Sequence, residues 1–172
     1  MPATYENIAT ITADGSSAYA TFSAVPSTYT DLVLVCQFRS STSGAYTDSY
    51  LRLATGGGSV DTGSNYSSVR IYGSGSGAAA TSYTSTSLIY GTLCPAASTT
   101  AGVLSTTIFH INNYSNSTTH KTVIVKGGDS ATYLQMGVGT WRNTGAITTV
   151  QFLTNSSFTS GSTFTLYGIK AA

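Results

Sequence analysis

The side chains best suited to acid–base or metal chemistry are few and scattered. His110 and His120 are the only histidines, and neither stands in a paired-histidine or HExxH motif. Five aspartates fall at predicted turns or strand ends, where capping of backbone amides is favoured over paired-carboxylate catalysis: Asp14, Asp31, Asp48, Asp61 and Asp129. The serines lack the GxSxG motif of a hydrolase nucleophile. We therefore expect a non-enzymatic protein with no catalytic residues.

Asp61 and Asn65 are the best candidates for holding a cation, because they stand in a glycine-containing segment and Ca²⁺ prefers clustered oxygen ligands. The spacing of an EF-hand is absent, however, and charged residues are sparse. The pattern favours a plain turn, so we predict neither a metal site nor a cofactor. His110 lies in an apolar run, which favours a structural histidine at the core margin or at an interface.

The two cysteines, Cys36 and Cys94, are too few for a disulfide framework, and their spacing excludes a CxxC metal or redox site. Cys36 stands inside an apolar run, where a thiol normally serves as a small hydrophobic side chain. Two buried free thiols are favoured over a bridge between them.

Tyrosine is unusually abundant, with twelve residues. A tyrosine offers a large contact area and a hydroxyl at little cost in side-chain entropy, which suits protein and glycan contacts. The candidate protein or glycan interface residues are those in or beside predicted loops: Tyr66, Tyr72, Tyr83 and Tyr114. Packing between strands is the alternative for any of these rings.

Alternating apolar residues predict the strands that position these groups. Asp31–Arg39 is the most apolar run and the best candidate for a central strand, with Leu34 in the core. Ser162–Lys170 predicts a closing strand that is paired inside a sheet, with Phe164 on the core face. Gly168 shares that face, so a neighbouring aromatic ring or backbone is expected to approach it closely.

Two further segments carry apolar residues in a less regular pattern. Gly102–Asn112 has apolar groups on both faces, which predicts cover on both sides, either by the second sheet and a loop or by a neighbouring subunit. Asp61–Ser87 is interpreted as a loop-rich excursion with one short strand, Val69–Tyr72. Trp141 is expected near a sheet edge or mouth, since its face is opposite to that of Leu134, Met136 and Val138.

Roughly nine or ten strands and no helix are predicted, with turn signals at regular spacing. This pattern indicates an all-β fold, a two-sheet antiparallel β-sandwich of jelly-roll type. The 172 residues fit a single domain, residues 1–172, that can bury a full core.

Composition restricts the partners. Charged residues make up 8% of the chain and the net charge is +1, which argues against nucleic acid as a partner. No apolar run reaches the roughly 20 residues needed to cross a bilayer, so we expect no membrane partner. Met1–Glu6 lacks the basic start and apolar middle of a signal peptide. Protein or glycan partners are favoured.

Four phrases carry a resemblance that runs nearly the length of the chain: Val25–Leu32, Asp61–Tyr66, Thr148–Val150 and Gly161–Ile169. Together they resemble a group of tailed-bacteriophage virion surface proteins found in aquatic phages and cyanophages. Members of the group are small stand-alone proteins of the virion surface or terminal modules of larger fibre proteins. None of the four phrases is a catalytic signature.

The resemblance implies a β-sandwich that decorates or cements the capsid on the virion surface, often as a trimer. The implied partners are the major capsid protein and the chain itself, as a homotrimer. The alternative is a tail fibre or receptor-binding module that contacts a host glycan. Thr4–Thr12 and Gly73–Thr86, which are polar segments with the character of edge strands, are the expected contacts with the capsid or a sister subunit.

Overall fold

The computed structural model describes residues 4–170, which form twelve β-strands and no α-helix. This confirms the predicted all-β class. The strands are β1 (Tyr5–Thr12), β2 (Tyr19–Phe22), β3 (Asp31–Phe38), β4 (Tyr46–Thr55), β5 (Tyr66–Ser74), β6 (Gly77–Thr86), β7 (Ile89–Pro95), β8 (Ser105–Asn112), β9 (Lys121–Asp129), β10 (Leu134–Trp141), β11 (Ile147–Thr154) and β12 (Thr163–Ile169).

The strands form two antiparallel sheets that pack face to face, as predicted for a sandwich. The large sheet has the order β1-β12-β3-β8-β9-β10-β5-β6, and the small sheet has the order β2-β11-β4-β7. Eight of the strands form nested antiparallel pairs: β4 with β7, β3 with β8, β2 with β11 and β1 with β12. The hairpins β5–β6 and β9–β10 lengthen only the large sheet, so one side of this sheet extends beyond its partner.

The core lies between the two sheets and is rich in phenylalanine. Phe38 meets Phe152 edge to face at 4.7 Å between ring centroids, and Phe158 lies 4.6 Å from Phe164. Leu34 is completely buried, as predicted. Edge-to-face pairs add to the free energy of burial because the positive ring edge meets the negative ring face.

The closing strand β12 lies between β1 and β3, which confirms that it is paired inside a sheet. Phe164 and Leu166 point into the core. A Cβ atom at Gly168 would lie 2.3 Å from the ring of Tyr29, so glycine is required there and the expected aromatic approach is confirmed.

The segment interpreted as a loop-rich excursion is a β-hairpin, and that prediction is wrong. Strands β5 and β6 pair over almost their whole length around a turn at Gly75 and Ser76. The glycine, serine and alanine residues of β6 carry a weak strand signal in the sequence. Pairing with β5 supplies the backbone hydrogen bonds, and an edge strand needs no apolar face of its own.

Candidate interaction surface

The most unusual surface of the molecule is apolar and belongs to the large sheet. We define the apolar face as seven outward side chains from β5, β8, β9 and β10: Val69, Ile71, Ile108, Ile124, Leu134, Met136 and Val138. Six of them are between 39% and 75% exposed, with Leu134 the most exposed. A groove of about 610 Å³ crosses the face between Ile71, Ile108 and Met136.

The apolar face is contiguous because its side chains are cross-strand neighbours. Met136 is paired with Ile71, and Val138 stands between Val69 and Ile124. Directly opposed side chains in antiparallel strands lie within contact distance on one face of a sheet. Monomeric proteins seldom expose such a contiguous patch, and patches of this kind mark interaction sites.

The inner side of β10 explains why its large apolar residues point outward. Gly137 and Gly139 occupy the core-facing positions, and a Cβ atom at Gly139 would lie 2.4 Å from a side-chain carbon of Ile89 in β7. Small residues let the two sheets approach each other at this point. The larger side chains are therefore on the solvent side, where none of residues 4–170 covers them.

The apolar face carries little charge. Lys126 of β9 is a neighbour of Met136, and His110 of β8 is opposite Ile124. The His110 Nε2 atom lies 3.7 Å from a carboxylate oxygen of Asp31 and has no hydrogen-bond partner within the described part of the chain. The structure thus places His110 at the margin of this face.

Two of the predicted interface tyrosines belong to the core, and for them the prediction is wrong. Tyr66 is completely buried, stacks on Trp141 with 6.0 Å between ring centroids, and donates its hydroxyl proton to the backbone oxygen of Asp61. Tyr114 is also completely buried, and its hydroxyl group donates to the backbone oxygen of Pro26. Each ring enters the core from a chain segment that looks like a loop in the sequence.

The other two predicted tyrosines are partly buried. Tyr72 lies 6.4 Å from Tyr133, and it lines the groove of the apolar face. Tyr83 stacks on Tyr90 at 3.7 Å between ring centroids, and its hydroxyl oxygen accepts a hydrogen bond from Arg70. Tyr72 is paired with the buried Gln135, so its side chain is on the opposite side of the sheet from Ile71 and Met136, and it borders the groove without belonging to the apolar face.

Asp61 organises a turn, which agrees with the favoured interpretation. One carboxylate oxygen accepts the backbone N–H of Gly63 at 2.8 Å. The other oxygen accepts hydrogen bonds from the side chains of Asn65 and Trp141. Trp141 is only 1% exposed and ends β10, which lies between β9 and β5, so its expected position at a sheet edge is wrong.

Three other aspartates cap backbone amides, as predicted. Asp14 accepts the N–H of Ser16, Asp31 accepts that of Asn113, and Asp129 accepts those of Ala131 and Thr132.

Asp48 is the exception among the aspartates, because it lies within β4 instead of at a turn or strand end. It forms an ion pair with Arg70 at 2.5 Å. Burial lowers the pKa of Arg70, but the bond to Asp48 outweighs burial, and the pKa is raised.

The two cysteines are buried free thiols, as favoured from the sequence. Burial raises the pKa of Cys36 well above its usual value and that of Cys94 to about 12. Both groups therefore remain protonated at neutral pH, which makes them poor nucleophiles.

Residues 4–170 bring no three potential metal-ligating side chains together. The same part of the chain contains no helix of the length and hydrophobicity that a membrane crossing requires.

Comparison with known proteins identifies no family model that matches the chain and no matching curated protein.

Proposed function

We propose that this chain is a non-enzymatic structural protein of a phage virion, a capsid decoration or cement protein that assembles as a homotrimer through the apolar face. The exposed apolar face is the observation that supports the proposal, because an assembly must cover it. The resemblance to phage virion surface proteins supports the location. The nested strand pairs, which alternate between two sheets, further support a jelly-roll assignment for the sandwich.

A second copy of the chain is the occupant that best fits the apolar face. Among residues 4–170, strand pairing places two ionisable groups beside the face, Lys126 and His110, so copies that meet around a three-fold axis bring few like charges together. An apolar, nearly uncharged centre is typical of interfaces between identical subunits. In such an assembly a neighbouring subunit covers Ile108 of β8. Cover by a neighbouring subunit is one of the two alternatives expected for the segment Gly102–Asn112.

The edges of the large sheet are the proposed contacts with the major capsid protein. β1 and β6 form the two ends of the strand order, and the outer edge of each presents unpaired backbone groups. β1 covers nearly all of Thr4–Thr12 and β6 covers most of Gly73–Thr86, the segments that were expected to contact the capsid or a sister subunit. Polar edge strands suit contacts that form after folding, since a bare edge can accept a further strand or loop.

Cryo-electron microscopy of the virion that encodes this chain tests its location. We expect density for the sandwich at local three-fold positions of the capsid. Density at the tail tip alone would overturn the decoration proposal in favour of the fibre or receptor-binding alternative. Turnover of a glycan or peptidoglycan substrate that a single Asp→Asn change abolishes would overturn the non-enzymatic assignment.

Native mass spectrometry tests the interface. Val138→Asp places a charge within the apolar face between Val69 and Ile124, where the wild-type side chain is 48% exposed, so the monomer should still fold. We expect a trimer for the wild type and a monomer for the variant, because a desolvated, unpaired carboxylate opposes association. Thr21→Asp, at an exposed position of β2 in the small sheet, is the matched control and should remain trimeric.

A wild-type monomer at micromolar concentrations would contradict the trimer. A Val138→Asp variant that assembles as the wild type does would place the interface elsewhere on the molecule.

A further inference from the structure

A second groove, of about 620 Å³, lies on the outer face of the small sheet. Tyr50 and Arg52 of β4 and Tyr90 of β7 form its floor, and Tyr19 of β2 stands at one side. The connection between β6 and β7 forms the opposite rim. The volume is in the range of small-molecule sites, and the lining is mainly aromatic and polar.

Two of the three aromatic side chains of this groove, Tyr50 and Tyr90, are fixed before any ligand arrives. Tyr50 meets Tyr90 edge to face at 5.3 Å between ring centroids, and Tyr90 stacks on Tyr83. Arg70 lies 5.1 Å from the centroid of Tyr90 and is held by Asp48. Rigid tyrosines lose little side-chain entropy on binding, and they offer an apolar ring with a polar tip.

The rim opposite Tyr19 is also held in place. Ser85 has a φ angle of +53° and lies at the bulge where the pairing of β5 and β6 shifts, so a β-bulge sets the shape of this rim. The hydroxyl of Thr86 donates to the backbone oxygen of Leu88 at 2.9 Å. Arg52 donates through Nε to the backbone oxygen of Ser87 at 3.2 Å.

The guanidinium group of Arg52 has N–H donors that no residue among 4–170 uses. The Nε bond to Ser87 is the hydrogen bond that its guanidinium makes within residues 4–170, so both terminal amino groups are available to a ligand. A guanidinium presents a planar pair of N–H donors that matches a carboxylate.

The other charged groups around the groove balance one another. The charge of Asp48 is balanced by its ion pair with Arg70. At the Ser64 side of the groove, Arg142 bonds to Ser64 and Asp61 bonds to Asn65, so this side also has one cation and one anion. The charge of Arg52 is therefore the one that an anionic group on a ligand would meet.

We propose that this groove binds an acidic saccharide, a hexuronic acid residue, with its carboxylate on Arg52 and its ring against Tyr19, Tyr50 and Tyr90. A sugar ring has an apolar face bordered by hydroxyls, and the tyrosines present the complementary surfaces. The site is on the small sheet, away from the apolar face, and it does not depend on where the protein is located in a virion.

Ligand-observed NMR and isothermal titration with glucuronate and galacturonate test the proposal, with glucose and galactose as the neutral counterparts. We expect at least one hexuronate to bind, and its neutral counterpart to bind at least tenfold more weakly. Arg52→Gln should weaken hexuronate binding at least tenfold. Lys170→Gln removes the same charge from the far end of β12, beside Glu6, and should leave binding unchanged.

Tyr19→Ala provides a second variant that is safe for folding, since the side chain is 54% exposed. It should weaken hexuronate binding while the melting temperature stays that of the wild type. Absence of binding by both hexuronates, equal binding of acid and neutral sugar, or unchanged binding by Arg52→Gln would each overturn the proposal.

Discussion

Individual cations stabilise the loops of a chain that has few charges. Arg39 donates to the backbone oxygens of Ala96, Thr99 and Thr100 at 2.6 to 2.8 Å. Lys121 is buried, which lowers its pKa, and its ammonium group donates to three backbone oxygens. Arginine and lysine each carry several N–H donors. One such side chain can therefore bond to several backbone oxygens in loops, where no neighbouring strand supplies a partner. Part of the scarce charge therefore stabilises loops of the molecule instead of facing solvent alone.

Asp61→Asn should destabilise the fold in a pH-dependent manner. Burial alone would raise the pKa of Asp61, but hydrogen bonds from Trp141, Asn65 and a backbone amide outweigh burial and lower it. A lowered pKa in the folded state means stability that is present above the ordinary carboxyl pKa of about 4 and is lost at lower pH. We expect the variant to lose about 1 kcal/mol of unfolding free energy at neutral pH, and less at pH values below about 4.

Denaturant unfolding followed by tryptophan emission checks this, because Trp141 is the only tryptophan and donates directly to Asp61. Asp14→Asn is the control, since Asp14 also caps a turn but does not contact Trp141. The control should leave the native emission spectrum unchanged, whereas Asp61→Asn should alter it. A stability difference between wild type and Asp61→Asn that is constant with pH would contradict the role assigned to the carboxylate.

Strand β10 connects the core and the proposed interface. Its inner positions include Gly139, where Ile89 of the small sheet comes close, and Gly137, where Arg70 of the neighbouring strand β5 does, and its outer positions carry Met136 and Val138. The usual inside-outside pattern of an antiparallel strand is therefore inverted over this stretch. An inverted pattern is expected of a strand that is covered outside by another subunit and inside by a tightly packed sheet.

Gly139→Ala should test the close packing between the sheets. The added methyl would lie 2.4 Å from Ile89, so β7 and β10 must move apart or Ile89 must leave its rotamer. Overpacking of this kind costs about 1 to 3 kcal/mol. In the double variant with Ile89→Ala, the space vacated by the isoleucine accepts the new methyl. Chemical denaturation should show a combined loss smaller than the sum of the single losses, by about 1 kcal/mol or more. Simple additivity would mean that the two residues do not share this space.

The sequence predicts those elements whose local pattern agrees with their environment. β3 and β12 alternate regularly, and Leu34 and Phe164 are in the core as predicted. β6 is missed because its small, polar residues obtain their order from pairing with β5, which is a non-local effect. The orientation of β10 is also hidden, since two glycines on the inner face give no apolar signal. Trp141 is buried although its neighbours in sequence suggest a sheet edge.

The candidate sites are harder to predict than the fold because they depend on distant segments. Tyr66 and Tyr114 look like loop residues until the nested strand pairs bring other parts of the chain over them. The groove beside Arg52 draws on β2, β4, β7 and the connection that follows β6. No local sequence pattern predicts that these segments come together. Composition, in contrast, already indicates that the chain has few charged residues, and an apolar face with few charges suits association with a second copy.

At the scale of the whole molecule, assembly through the apolar face should make thermal stability depend on concentration. When unfolding is coupled to dissociation of a trimer, a tenfold rise in concentration stabilises each chain by about 0.9 kcal/mol, by mass action. For a chain of this size that raises the Tm by about 2 to 4 °C. Differential scanning calorimetry over a range of concentrations should show this rise for the wild type and for Thr21→Asp. Val138→Asp should melt at one temperature throughout, and a wild-type Tm that is independent of concentration would argue that the apolar face is not an interface between copies.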